Sequence, residues 1–437
     1  MTVTGNYNEI DTAIKAAAAQ GINELKCNLY ALCDEIGPRF AGTEGDRRAA
    51  EMIRATFERY GLKNVCCEPF SFVAWCRGGG ARLRLVTPRE YEVPAYAMPY
   101  GAATKGEGIT ARWVDVDSGS EDEVDKVASA LRGAFALTDG SSGPRKGIQQ
   151  RCVTAGAIGV LHGHNVDGML FKTGSVHNGQ ESPIPAVNIP SETLALLRRM
   201  QTSGRLHLVV DSYCEPGTTC NVVGEIPGAE KPDELVIMGG HYDSHDISPG
   251  AYDNATGVSI VMEVARLLEP FRHQVKRTVR FVAFGAEEMG LLGSHDYART
   301  HAKLLRKTRF MLNCDTPCLG RPHGLGFHKC SAAEAYVHTL AAEMGEEVRF
   351  GNRQHTSSDH YPFMRQGVIT AGVGGKPGKS RGGGFYHMAG DTLDKIVVEE
   401  VSDTAAFIAR ALLRIANDDS WPTLQHDEDC VDTSKAG

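Results

Sequence analysis

Apolar residues recur in two rhythms along this chain. Near the start, Ala49, Met52, Ile53, Thr56, Phe57 and Tyr60 keep helical spacing and predict a helix over 44–60. Thr43 and Asp46 resemble a capping box at its entry, and Gly61 ends it. Ala16 to Ala19 fall in an earlier helix. Val65 to Trp75 reads as a strand, and Arg77-Gly78-Gly79-Gly80 breaks its pattern, which places a domain boundary there. Beyond residue 218 the second rhythm takes over. Leu235 to Met238, Val279 to Phe284, Phe310 to Leu312 and Val368 to Val373 read as short, largely apolar strands. Val258, Val261, Met262, Ala265 and Leu268 make one helix face between them. Strands without polar alternation, separated by helices, predict an α/β fold with a mostly parallel, mixed sheet sandwiched by helices.

Residues 80–216 read as an inserted, smaller domain with its own core. Ala134 to Leu137 and Ile158 to Leu161 are strand candidates, and Ile184 to Ile189 is extended. Helices are expected over Ile148 to Ala155 and Ser191 to Met200, and His207 to Val210 closes the unit as a strand. The division is therefore 1–79 and 217–420 for the main unit, 80–216 for the insertion, and 421–437 for a polar, acidic tail.

Composition narrows the class. A length of 437 residues suits two or three units, and 42% apolar with 23% charged residues is ordinary for a globular protein. A net charge of −8 argues against a nucleic-acid surface. No apolar run approaches the roughly 18 residues of a membrane span. The first residues lack the basic start and apolar stretch of a secretory signal, so a cytoplasmic location is expected. The 12 cysteines include no Cys-x-x-Cys pair, and reduced thiols are expected. Cys214 and Cys220, either side of Pro216-Gly217, are the best disulfide candidates in an oxidising compartment.

The chemistry concentrates after the apolar runs. His241-Tyr242-Asp243-Ser244 is followed twelve residues after His241 by Asp253-Asn254, then by Glu287-Glu288, Asp315 and His387. Parallel sheets gather ligands at the carboxyl ends of their strands, and His241, Glu287-Glu288 and Asp315 each follow such an end. A two-metal hydrolytic site needs a bridging carboxylate, imidazole or carboxylate end ligands, and a base near the attacking water. Asp253 sits at a loop-to-helix junction flanked by glycines and is the candidate bridge. His241 is an end ligand, with Asp243 orienting its other ring nitrogen. Glu287 and Glu288 are neighbours whose side chains point different ways, so one can bind metal while the other reaches the water. Asp315 and His387 complete the two ends. His162, His164 and His177 are scattered through loops of the insertion and are read as structural. Asp359 and His360 are assigned no chemistry, and Phe363, Met289 and Ile369 are read as core.

These segments resemble the co-catalytic zinc exopeptidases that include bacterial leucyl-type aminopeptidases, plasma glutamate carboxypeptidase and glutaminyl cyclases. The matching stretches are Gly240 to Ser244, Gly250 to Asn254, Ala286 to Ser294, Asn313 to Asp315, Ser358 to Phe363 and Tyr386 to Thr392, with Ile36 to Thr43 as an N-terminal part. The insertion is similar, less specifically, to a protease-associated domain. The resemblance implies one zinc on His241, Asp253 and Asp315, a second on Asp253, Glu288 and His387, and Glu287 as general base. Manganese or cobalt could occupy the same ligands. It also implies a cis peptide at Asp253-Asn254.

The expected reaction is peptide hydrolysis by metal-activated water, with aminopeptidase action first. Glu287, Asp243 and Asp359 outnumber Arg365 and Arg381 near the motifs, which favours recognition of a free amine. Carboxypeptidase or dipeptidase action is the alternative, and Arg381 in the Gly-rich loop, with Lys376 and Lys379, is its candidate carboxylate clamp. A cyclase-like enzyme is disfavoured because both ligand sets look intact, and a non-catalytic scaffold because no ligand is lost. The expected partner is a peptide or dipeptide substrate, without nucleic acid or membrane, and a homodimer is the candidate assembly.

Overall fold

A computed structural model describes residues 7–200, 204–353, 355–420 and 427. The acidic tail expected over 421–437 lies outside the described residues except for Asp427. The strands are β1 (Lys63–Thr87), β2 (Tyr91–Val93), β3 (Tyr96–Ala97), β4 (Ile109–Ala111), β5 (Trp113–Asp115), β6 (Phe135–Thr138), β7 (Gly159–His162) and β8 (Ala186–Asn188). They continue with β9 (Arg205–Ile226), β10 (Lys231–His241), β11 (Arg277–Phe284), β12 (Thr308–Asn313), β13 (Gly320–Phe327), β14 (Arg349–Asn352) and β15 (Thr370–Lys376). The helices are α1 (Tyr7–Gln20), α2 (Ile22–Tyr30), α3 (Glu44–Arg59), α4 (Glu121–Leu131), α5 (Arg145–Thr154) and α6 (Ser191–Met200). After them come α7 (Gly257–Leu268), α8 (Leu292–Thr300), α9 (Ala302–Leu305), α10 (Ala333–Met344), α11 (His360–Arg365) and α12 (Val398–Asn417).

The main sheet runs β14-β13-β15-β12-β10-β11-β9-β1-β2. It is mixed. Its centre, β15-β12-β10-β11, is parallel, while β13 meets β15 and β9 meets β11 in antiparallel fashion. The central strands carry apolar runs, Leu235 to Met238, Phe281 to Phe284 and Phe310 to Leu312, where both faces are covered. Val236 and Met238 of β10 join one core with α7 and α12, and Leu235 and Ile237 join another with Tyr297 of α8 and Phe363 of α11. The pleat thus divides one apolar run between two helical layers. Ile369 and Phe363 are buried in these two cores and Met289 in a separate one, as their apolar character suggests.

A second, five-stranded sheet, β3-β8-β7-β6-β5, lies within the insertion. The entry to the insertion differs from the expectation. Arg77 to Gly80 do not end a strand; β1 continues to Thr87, paired with β9, and the glycines form a bulge where the register shifts between Cys76 and Gly80. Bulges of this kind insert residues while the ladder resumes beyond them. Pro216-Gly217 is likewise no turn. Cys214 and Cys220 lie on one continuous strand, opposite Trp75 and Pro69, and both are free thiols. Six residues of extended chain separate them by far more than a disulfide can bridge. No helix among the described residues is long and apolar enough to cross a membrane.

Helix α3 is capped by Thr43, whose hydroxyl accepts from Asp46 N. Asp46 does not return the bond. It turns inward to accept from Gly42 N at 2.9 Å and from the Thr219 hydroxyl at 3.0 Å, so the capping box is incomplete. Just upstream, Arg39 is fully buried. Its guanidinium donates to the carbonyls of Leu32, Gly37, Tyr242, Pro249 and Gly250, and its backbone N donates to Ser244 Oγ. One side chain therefore fastens the N-terminal segment to both ends of the loop after β10. Replacing it would leave several buried carbonyls without donors, at about 1–3 kcal/mol each and not additively. Arg39→Met should therefore destabilise the protein by about 3 kcal/mol or more in urea unfolding; a change below about 1 kcal/mol would show that water replaces the guanidinium at little cost.

Candidate metal centre

Three parallel strands deliver the centre at their carboxyl ends. His241 is the last residue of β10, Glu287 follows β11 by three residues, and Asp315 follows β12 by two. Asp253 comes from an irregular turn over Ala251–Thr256 that leads into α7, where Asp253 and Asn254 leave helical geometry and their peptide is cis. Gly250, at φ 56°, permits that turn. A Cβ there would lie 2.3 Å from the Asp253 carbonyl oxygen.

The Asp253 carboxylate faces two ways. Its Oδ1 is 3.1 Å from His241 Nε2, and its Oδ2 is 3.2 Å from His387 Nε2. Around the first oxygen, Asp315 Oδ1 is 3.5 Å from His241 Nε2. Around the second, Glu288 Oε2 is 3.3 Å from His387 Nε2 and 2.8 Å from His245 Nε2. Two ligand groups result, His241 with Asp253 and Asp315, and His245 with Glu288 and His387. His245 is an addition to the residues expected from the sequence, where it has no motif beyond its place four residues after His241 in the same loop. Glu287 enters neither group, although its Oε2 comes within 4.0 Å of His241 Nε2.

Backbone contacts fix these side chains. Asp391 accepts from Tyr252 N at 2.8 Å and from Asp253 N at 3.0 Å. Asn254 donates to the carbonyls of His241 and Cys314. Asp315 accepts from the Ser358 hydroxyl. Asp243 is fully buried, and its two oxygens accept from Glu287 N at 3.0 Å and Glu288 N at 3.1 Å. Its carboxylate lies 3.5 Å from His241 Nδ1, whereas its own carbonyl is nearer at 3.2 Å. Asp243 thus positions the Glu287-Glu288 turn at least as much as it orients His241.

The insertion supplies the outer wall. Thr173 N donates to the His387 carbonyl at 3.0 Å, and the Thr173 carbonyl lies 3.2 Å from His387 Nδ1. Gly179 N donates to the Met289 carbonyl, and Ala286 and Met289 share the core formed by the insertion with Phe40 and Trp75. His162, His164 and His177 join neither ligand group; His162 pairs with Gln149, His164 with the Leu170 carbonyl and His177 with the Gln180 carbonyl.

The electrostatics favour cations. Burial pushes the Glu288 carboxyl up to about 8 and Glu287 well above the carboxylate range. Burial would lower His241, but Glu287, Asp243, Asp253 and Asp315 outweigh it and raise it well above its ordinary value. At Asp253 burial also opposes ionisation, yet contacts with His241 and His387 win and hold it below its ordinary range. Burial lowers His245 to about 4, which keeps a neutral ring with a lone pair to donate. His241 Nε2 and both His245 nitrogens are buried without an aligned hydrogen-bond partner, although carboxylate oxygens are close. Nitrogen lone pairs and carboxylate oxygens converging in this way fit divalent zinc.

A third group, His328, His355 and His360, also brings ring nitrogens within 4.8 Å of one another. Its geometry differs. His328 and His360 stack with centroids 3.6 Å apart and planes 12° apart, so their in-plane lone pairs run side by side instead of meeting at one point. His245 and His387 instead meet edge to face at 74°.

The chain is similar to known peptidases in sequence and in fold. Residues 221–412 match the model of peptidase family M28. The chain is 28% identical to mouse carboxypeptidase Q over 95% of its own length and 90% of that protein. It is 27% identical to aminopeptidase YwaD of Bacillus subtilis, covering 90% of this chain and 84% of the relative. Among solved structures, a peptidase M28 precursor from Shewanella amazonensis superposes with TM-score 0.77 at 26% identity, over 94% of this chain and 98% of that one. The zinc aminopeptidase BSAP of Bacillus subtilis gives 0.73 at 25%, over 89% and 94%.

Zinc at about 100 times its Kd should stabilise the protein by about 2.7 kcal/mol per site, read as a rise in Tm after chelation and reloading. His245→Ala should reduce that rise. An unchanged Tm on reloading would mean that the clustered carboxylates are relieved by protons and not by ions.

Proposed function

Because the chain is a member of peptidase family M28, we propose that it is a two-zinc exopeptidase acting on short peptides, and that it removes amino-terminal residues. The observation that carries this reading is the division of labour around Asp253. Each of its oxygens faces a separate histidine, and Glu287 is left outside both ligand groups. His241, Asp253 and Asp315 would hold one ion, and His245, Glu288 and His387, with Asp253, the other. Divalent ions in such sites supply Lewis acidity and lower the pKa of water from 15.7 to about 7.

The remaining work falls to the protein. Glu287 is positioned by the Asp243 carboxylate through its own backbone N–H. Its carboxylate lies beside the first ligand group, 4.0 Å from His241 Nε2, without joining it, and can take a proton from the attacking water. The same group can return that proton to the departing amine. The carboxylates around the reacting centre favour a substrate ammonium over a carboxylate there. Asp243 is committed to the Glu287 and Glu288 amides and Glu287 to the attacking water, which leaves Asp359 of the three acids near the motifs. Action at the carboxyl end, or on dipeptides, is the second reading. It is favoured by one cation, Arg145, which faces a cavity beside the His387 loop. Arg381, by contrast, is exposed.

Glu287→Gln should keep its metal content and Tm while kcat falls by about 10²–10⁴. A near-normal kcat would remove Glu287 as the base. Acetylating the amino terminus of a peptide substrate should abolish turnover; sustained hydrolysis of the acetylated peptide would overturn amino-terminal action.

A further inference from the structure

A cavity of about 810 Å³ opens between the insertion and the loop that carries His387. Its walls include three cations, Arg145, Lys172 and Arg198, together with Tyr386. Two of the three are engaged. Arg198 pairs with Asp115 at 2.8 Å and Asp139 at 3.2 Å. Lys172 lays its ammonium 4.3 Å from the centre of the Tyr386 ring. Arg145 has neither a carboxylate nor a hydrogen-bond acceptor among the described residues. It is the first residue of α5 and is only partly exposed.

Its place in the fold is specific. A Cβ on Gly174 would lie 2.3 Å from Arg145 Nη1, so the guanidinium packs on the bare backbone of that glycine. Gly174 follows Thr173, whose carbonyl and N–H hold His387. The unpaired fork is therefore about one residue from the contact that fixes a metal-ligand candidate. The Arg145 charge also acts on Glu288 and His245, on the same side of the centre. A half-buried guanidinium with five donors and no protein acceptor is costly unless something fills the fork. Carboxylate fits it bidentately. Tyr386, 40% exposed, lines the same wall.

We propose that Arg145, contributed by the insertion, binds the terminal carboxylate of the substrate, so that the preferred substrates are dipeptides and other short peptides with a free carboxyl end. This rests on the exopeptidase reading above and deepens it. The metal centre and Glu287 act on the peptide bond, and the insertion measures the distance from that bond to the end of the chain. It also moves the carboxylate clamp from Arg381 to Arg145.

The test compares a dipeptide with its C-terminal amide, on metal-loaded wild-type protein and on Arg145→Gln and Arg145→Lys. Wild type should have a lower KM for the free acid. Arg145→Gln should raise the KM for the acid by about 10- to 100-fold, leaving the KM for the amide and kcat for both nearly unchanged. Arg145→Lys should recover part of the difference, because it keeps the charge without the fork. Calorimetric titration of both peptides into the Glu287→Gln protein, with and without Arg145→Gln, reads the same ratio without turnover. Equal affinity of wild type for acid and amide would overturn the proposal. So would equal loss for both peptides in Arg145→Gln with unchanged metal content, since a structural cation would behave that way. Absence of any hydrolysis by wild type, with the acid-over-amide binding ratio intact, would overturn the exopeptidase reading and leave the subsite standing.

Discussion

One carboxylate shared between two ligand groups governs the organisation of this molecule. Asp253 faces His241 with one oxygen and His387 with the other from a turn whose backbone leaves helical geometry at Asp253 and Asn254. The surrounding structure does this from several directions. Asp391 receives the amides of Tyr252 and Asp253, Asn254 reaches the ends of β10 and β12, and Arg39 fastens the loop between His241 and Asp253 from beneath. Buried polar groups of this kind persist only where every partner is present. The parallel centre of the sheet supplies the rigid frame, because its strand ends bring residues far apart in sequence to one edge.

The insertion is part of the same constraint. It holds His387 through Thr173 and supports the Glu287-Glu288 turn through Gly179 and a shared apolar core. A wall attached at both a ligand and the base can set substrate length as well as access. That is why a cation on it, Arg145, carries meaning for specificity, although the insertion contributes no member of either ligand group.

Much of this was legible in the sequence. The central strands are visible because both faces are buried and their runs are continuously apolar. His241, Asp253, Glu288, Asp315 and His387 are visible because each follows such a run or a glycine-marked turn. What escaped depends on pairing over long distances. The glycines at 78–80 signal a break by local rules, yet the long ladder between β1 and β9 carries the strand through them as a bulge. The apparent turn at Pro216-Gly217 is straightened by the same ladder. β13 has a glycine at Gly320, Gly324 and Gly326, so its pattern carries little apolar signal. His245 lay in plain view, but nothing local distinguishes it from a loop histidine until His387 and Glu288 are brought beside it. The grip of Asp243 on two backbone amides 44 and 45 residues away has no sequence signature.

The central claim, that Asp253 bridges two ions, is tested most directly by anomalous diffraction at the zinc edge from crystals of the active protein. The account predicts two peaks about 3.5–4 Å apart on either side of the Asp253 carboxylate, one beside His241 and Asp315 and the other beside His245, Glu288 and His387. A single peak in fully active protein, or an ion among His328, His355 and His360 with none at Asp253, would contradict it.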